Sequence, residues 1–175
     1  LKNAQEAIEE VRLLLEAVNV TRDLVNTPAN DLYPETLANK VTDLFKDTDV
    51  QVEIFDKQAL EELGAKALLA VSQGSSKEPR MLVLKYLPLG DEEPVISLVG
   101  KGVTYDSGGY AIKSAKGMST MKTDMAGAGA MIGALHAIVS NNIQQNVVCV
   151  IGATENLISG EAFKNGDIIH TLKGT

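Results

Sequence analysis

Apolar positions recur at three- and four-residue steps over residues 4–26, where Ala4, Ala7, Ile8, Val11, Leu14, Leu15, Val18 and Val25 share one side of a helical repeat. The spacing predicts a long amphipathic helix, with Glu6, Glu9 and Glu10 near its positive amino end. Thr27-Pro28-Ala29-Asn30 stops it, and Pro34 opens a second helix over 34–46. The period then changes. Residues 50–55 alternate and predict a strand, after which Asp56 caps a short helix through Leu63. Short apolar runs bounded by turn residues predict strands over 67–71, 81–86 and 95–99. Met118 to Val139 predicts a long helix whose small Ala126–Ala130 stretch can press against a sheet. Val147 to Ile151 is wholly apolar, as expected of a strand buried on both faces, and 168–172 predicts a last strand.

Strands interleaved with helices give an α/β class: a mixed, largely parallel central sheet flanked by helices. The length of 175 residues fits one domain, with no internal repeat or linker. No apolar run reaches the roughly 18–20 residues of a membrane helix, and no signal peptide opens the chain. The net charge of -7, with lysines scattered among acids, argues against a nucleic-acid partner. Aromatic residues, at 4%, are too few for a base-stacking platform. Cys149 is the single cysteine, so no internal disulfide forms, which fits a reducing compartment.

Chemistry concentrates in residues 98–130. A predicted buried strand ends at Val99, and Gly100, Gly102, Gly108 and Gly109 follow within one expected loop. Ligands gather at the carboxyl ends of strands in open α/β sheets. The loop carries Lys101, Asp106 and Lys113, and the next helix carries Asp124 near its beginning. Asp106 and Asp124 can bind a divalent cation, and a metal-bound lysine would have to be neutral, as burial beside a dication favours. A second, charged lysine could polarise a substrate carbonyl. The same residues also fit a tight surface loop with solvated charges. Gly-Lys-Gly at 100–102 is not a phosphate loop, which needs Ser or Thr after the lysine.

At these residues the chain resembles the leucine aminopeptidase (cytosol aminopeptidase) family. Gly100-Lys101-Gly102-Val103-Thr104-Tyr105-Asp106-Ser107-Gly108-Gly109 is similar to that family's signature loop, with Tyr105 where Phe is usual. Ile112-Lys113 and the stretch from Met118 to Met125 continue the likeness, as do Thr21 to Asn30, Ala153 to Asn156 and Gly166-Asp167. The resemblance implies a two-metal aminopeptidase that releases amino-terminal residues from peptides, with leucine-type preference. Lys101, Asp106 and Asp124 would be metal ligands, Asp106 bridging two divalent ions (zinc or manganese). Lys113 would be the catalytic lysine, and Met121 a wall of the substrate pocket. It also implies a cytoplasmic homohexamer. Residues 1–175 would be the amino-terminal part of the catalytic (peptidase) domain, including the linker helix at about 4–26.

The family completes its site with Asn-Thr-Asp-Ala-Glu-Gly-Arg, a segment this sequence lacks. Leu1 and Gly174-Thr175 read as cuts through a longer protein. The expectation is a chain that holds one metal weakly or none and is inactive by itself. A catalytically silent relative serving as a structural or binding module is the alternative. His136 reads as a packed or surface histidine, His170 as exposed, Cys149 as core, and Met118, Met125 and Met131 as core packing.

Overall fold

The structure is a computed structural model that describes residues 2–174; the expected domain's end residues, Leu1 and Thr175, lie outside the described residues. Among the described residues six α-helices and four strands follow in chain order: α1 (Lys2–Asn26), α2 (Pro34–Phe45), β1 (Gln51–Phe55), α3 (Lys57–Leu63), α4 (Lys66–Ser72), β2 (Arg80–Tyr86), β3 (Val95–Asp106), α5 (Ala115–Met118), α6 (Ala126–Ser140) and β4 (Asn146–Asn156). The strands form one mixed sheet in the order β1-β2-β4-β3. β1 and β4 each run antiparallel to β2, and β3 runs parallel to β4. The expected α/β class with a mixed, helix-flanked sheet is therefore present, but its parallel share is one pairing of three among the described residues.

Side-chain alternation along β4 sorts the two faces. Val147, Cys149, Ile151 and Ala153 are buried at 1% exposure or less and meet Leu82 and Leu84 of β2 in the core. Leu37, Val41 and Phe45 of α2 and Ala128, Ile132 and Leu135 of α6 cover that face. The opposite face is thinner: Gly152 faces Leu68 of α4, and Val148 and Val150 are only half-buried. The expectation that Val147–Ile151 is buried on both faces holds for one face alone.

Four expectations are corrected. Residues 67–71 are helical, because Ala65–Ala70 is rich in Ala and Leu and follows the left-handed cap at Gly64 (φ 77°). β3 continues well past Val99, so Gly100 and Gly102 lie inside a strand; only Gly108 and Gly109 lie in the turn beyond it. The helix expected over 118–139 is interrupted: α5 ends at Met118, Met121–Thr123 forms one 3-10 turn, and α6 begins at Ala126. No strand forms over 168–172, where Ile168 and Leu172 are 85% and 66% exposed and no neighbouring strand pairs with them.

Small residues let α6 approach both neighbours. A Cβ on Gly100 would lie 2.7 Å from the Ala128 Cα, so β3 and α6 touch backbone to backbone. On its other side α6 receives α1, whose Thr21 hydroxyl donates to the Gly129 carbonyl at 3.1 Å. The amino-terminal two-thirds of α1 leaves Ile8, Val11, Leu14, Leu15 and Val18 exposed. Met125 is buried, Met131 packs at the core margin, and Met118 is half-buried. His136 packs against Phe45 with ring centroids 6.2 Å apart, while His170 is exposed. Among the described residues no helix is long and apolar enough to cross a membrane.

Two outcomes test this packing. A Cβ at Gly133 would fall 2.0 Å from Thr21 Oγ1 and 2.9 Å from the Ala17 carbonyl oxygen. Gly133→Ala gains about 1 kcal/mol of helix propensity but incurs roughly 1–3 kcal/mol of overpacking. The net effect expected in a denaturant melt is destabilisation, partly recovered by adding Thr21→Ala. Burial holds the His136 imidazole below its usual range, against a smaller opposite pull from Glu16. As pH falls below about 6.5 the unfolded chain takes up this proton first, so stability should decline toward pH 5. Thermal melts across that range should show a shallower decline for His136→Gln.

Candidate active site

β3 delivers two of the singled-out residues through an irregularity. Lys101 and Asp106 are five positions apart, which on a regular strand puts them on opposite faces. The register shifts between Val103 and Tyr105: Val103 pairs with Thr154 but Tyr105 pairs with Glu155, leaving Thr104 as an extra residue. This bulge reverses the alternation. Lys101 then stands beside Gly152, and Asp106 beside Asn156, both on one face of β4. Lys101, Val103, Asp106, Gly152, Thr154 and Asn156 accordingly line one open cleft of about 450 Å³, walled by Leu68 and Val71 of α4.

The chain turns sharply after Asp106. Gly108 takes φ 90°, and a Cβ there would lie 2.4 Å from the Ala111 carbonyl oxygen, so the turn requires glycine. The Lys113 N–H donates to the Ser107 carbonyl at 2.9 Å and closes the loop. Lys113 Nζ thereby reaches Asp106 Oδ2 at 2.6 Å. The other carboxylate oxygen, Oδ1, accepts from the Gly108 N–H at 2.9 Å and from Asn156 Nδ2 at 2.8 Å. Burial by itself would push the Asp106 carboxyl up; the donors Lys113, Gly108 and Asn156 outweigh it and hold it below the usual carboxylate range. Lys113 is raised by its hydrogen bond to Asp106, against some desolvation, and the charges of Asp106 and Asp124 add to the effect.

Asp124 arrives from the 3-10 turn ahead of α6. Its Oδ2 lies 3.5 Å from Lys101 Nζ, an ion-pair distance without a hydrogen bond. Among the described residues, Asp124 Oδ2 and His136 Nδ1 are the buried side-chain polar atoms that lack a hydrogen-bond partner. A charged oxygen left so carries a desolvation cost of at least about 1–3 kcal/mol. His136 packs against the Phe45 ring; Asp124 Oδ2 has the Lys101 amine at 3.5 Å but accepts no hydrogen bond. Lys101, Asp106, Lys113 and Asp124 therefore come together as two ion pairs. Met121 sits half-buried in the 3-10 turn and is not among the walls of the cleft. Among the described residues no three His, Cys, Asp or Glu side chains converge, so the acidic donors here are the two aspartates. Asn156 was not singled out from sequence, although Ala153–Asn156 matched a motif; its donation to Asp106 is a contact that strand pairing creates.

The family model for the cytosol aminopeptidase family, catalytic domain, matches residues 19–175. A Clostridium perfringens protein named "Probable cytosol aminopeptidase" is 48% identical over 173 residues, covering 97% of this chain and 35% of that protein. A Bacillus subtilis protein of the same name is 46% identical, covering 91% of this chain and 32% of its own length. The cytosol aminopeptidase structure from Coxiella burnetii superposes with a TM-score of 0.92 at 34% identity, over 97% of this chain and 36% of that one. The bottromycin maturation enzyme BotP, solved in complex with Mn, gives 0.91 at 35% identity, over 98% and 37%. The chain belongs to the cytosol aminopeptidase family. It spans about a third of the length of these relatives.

If Lys113 holds the Asp106 carboxyl down, Lys113→Met should raise the pH at which Asp106 titrates in the metal-free chain. Carbon-13 NMR of the carboxyl carbon reads this directly, and an unchanged midpoint contradicts the ion pair.

Proposed function

We propose that this chain is the front part of a two-metal aminopeptidase catalytic domain, residues 1–175 with α1 as its linker helix. The parent protein would release amino-terminal residues from peptides, with leucine-type preference. The observation that carries this reading is the buried Oδ2 of Asp124, which accepts no hydrogen bond and lies 3.5 Å from the Lys101 amine. An atom so placed suits a cation's ligand.

Lys101, Asp106 and Asp124 are the proposed donor set, and two carboxylates with one amine suit zinc or manganese. BotP's manganese supports the second. Asp106, with both oxygens directed by other groups, is the proposed bridge between the two ions. Lys101 would complete that donor set through its amine nitrogen. The bound ions would supply an activated water and stabilise charge on the attacked carbonyl. Lys113 is proposed as the catalytic lysine. The carboxylates around it keep its proton in place, so it can donate to the carbonyl oxygen as negative charge grows there. Met121 is proposed as a wall of the pocket for the released residue's side chain. A homohexameric parent in the cytoplasm is part of the same reading, and the relatives' name supports the location.

The chain by itself offers the second ion only Asp106, and ligand number sets affinity. It should bind manganese weakly and hydrolyse no leucine amide. Calorimetric titration should show binding that Asp124→Ala abolishes; equal binding by both proteins removes Asp124 from the donor set. Chelator-sensitive hydrolysis by the 175-residue chain overturns the expected inactivity. In the parent protein, Lys113→Ala should lower kcat by roughly 10²–10³-fold.

A further inference from the structure

Asn156, the last residue of β4, touches the Asp106 turn in three ways. Its side-chain amide donates to Asp106 Oδ1 at 2.8 Å. Its backbone carbonyl accepts from the Ser107 N–H at 2.9 Å and from the Ser107 hydroxyl at 2.8 Å. Its Oδ1 lies where a Cβ on Gly109 would come within 2.9 Å, and Gly109 itself takes φ 63°. The residue before it is also anchored, since Ser75 Oγ donates to the buried Glu155 at 2.5 Å. The end of β4 is thus fixed, and the Asp106 turn is fitted around it.

We infer that Asn156 is a positioning residue: its amide, with the Gly108 N–H, locks Oδ1 of Asp106 and so sets the carboxylate plane, leaving Oδ2 directed at Lys113 and the cleft. This rests on the metal reading of Asp106 for its functional meaning, though the locking itself is a property of the metal-free chain. The two roles of Asn156 separate cleanly. Its backbone carbonyl holds Ser107 whatever its side chain, whereas only the side-chain amide holds Asp106. Replacing the side chain should free the carboxylate without releasing the turn.

Asn156→Leu keeps the branched shape and removes the donor. In the metal-free variant, hydrogen exchange at the Gly108 N–H should quicken roughly five- to tenfold, as loss of one hydrogen bond implies. Exchange at the Ser107 N–H should stay within twofold. Both amides quickening together shows that Asn156 merely holds the fold, and neither changing shows that Asp106 needs no lock; either overturns the inference. A second arm titrates manganese into the wild-type, Asn156→Leu and Asp106→Asn chains. Removing an outer partner of a ligand should weaken binding roughly 10–100-fold, with a changed manganese paramagnetic resonance line for what still binds. Unchanged affinity and line shape in Asn156→Leu, where Asp106→Asn abolishes binding, also overturn the positioning role. If Asp106→Asn binds as the wild type does, or the wild type itself shows no specific binding, the metal reading of Asp106 fails, and the exchange arm still decides the lock.

Discussion

Parallel pairing of β3 with β4 runs from Val95 opposite Asn146 to Asp106 opposite Asn156, and this ladder brings the acidic turn to the cleft. The ladder is held from one side by the core. Cys149, Ile151 and Ala153 are fully enclosed between the sheet and α2 and α6. Full burial stabilises a side chain such as Ile151 by roughly 1.5–3 kcal/mol, whereas the site's ion pairs are partly exposed and contribute little to stability. The apolar face thus sets where the strands end, and the polar groups take the positions they are given. Stability and chemistry occupy opposite faces of the same strand.

Close approach of α6 is the second support. Its glycines let β3 and α1 come within backbone contact on two sides, and its amino end fixes the 3-10 turn that carries Asp124. Lys122 Nζ reaches back to the Asn26 carbonyl at 2.6 Å, tying that turn to the end of α1. Asp124 follows a short 3-10 turn between α5 and α6 rather than standing in the first turn of one long helix.

The sequence made two helices plain: α2 buries Leu37, Ala38, Val41 and Phe45 in one stripe, and α1 keeps the 3.6 period although most of its apolar side stays exposed. It also made the apolar centre of β4 plain. It misjudged 67–71, where five apolar residues have no period of their own and the helix propensity of Ala and Leu decides against a strand. It cut β3 short because glycine has poor strand propensity, yet Gly100 and Gly102 are there to admit α6 and the Ile151 side chain. Methionines at helical spacing concealed the break between Met118 and Ala126. The four chemical residues were legible as a motif. What stayed hidden was their geometry: the Thr104 bulge and the Asn156 contact both depend on which residue of β4 stands opposite, a long-range fact that no local pattern encodes.

The bulge makes the Lys101–Asp106 interval odd when counted along the chain and even when measured in space. A regular strand of the same length would retain every lysine and aspartate of the motif and still turn the carboxylate toward α6. Losing the bulge together with one residue would leave both side chains on the cleft face. The information in 102–105 is how its length and its irregularity combine, which a comparison that scores only residue types would pass over.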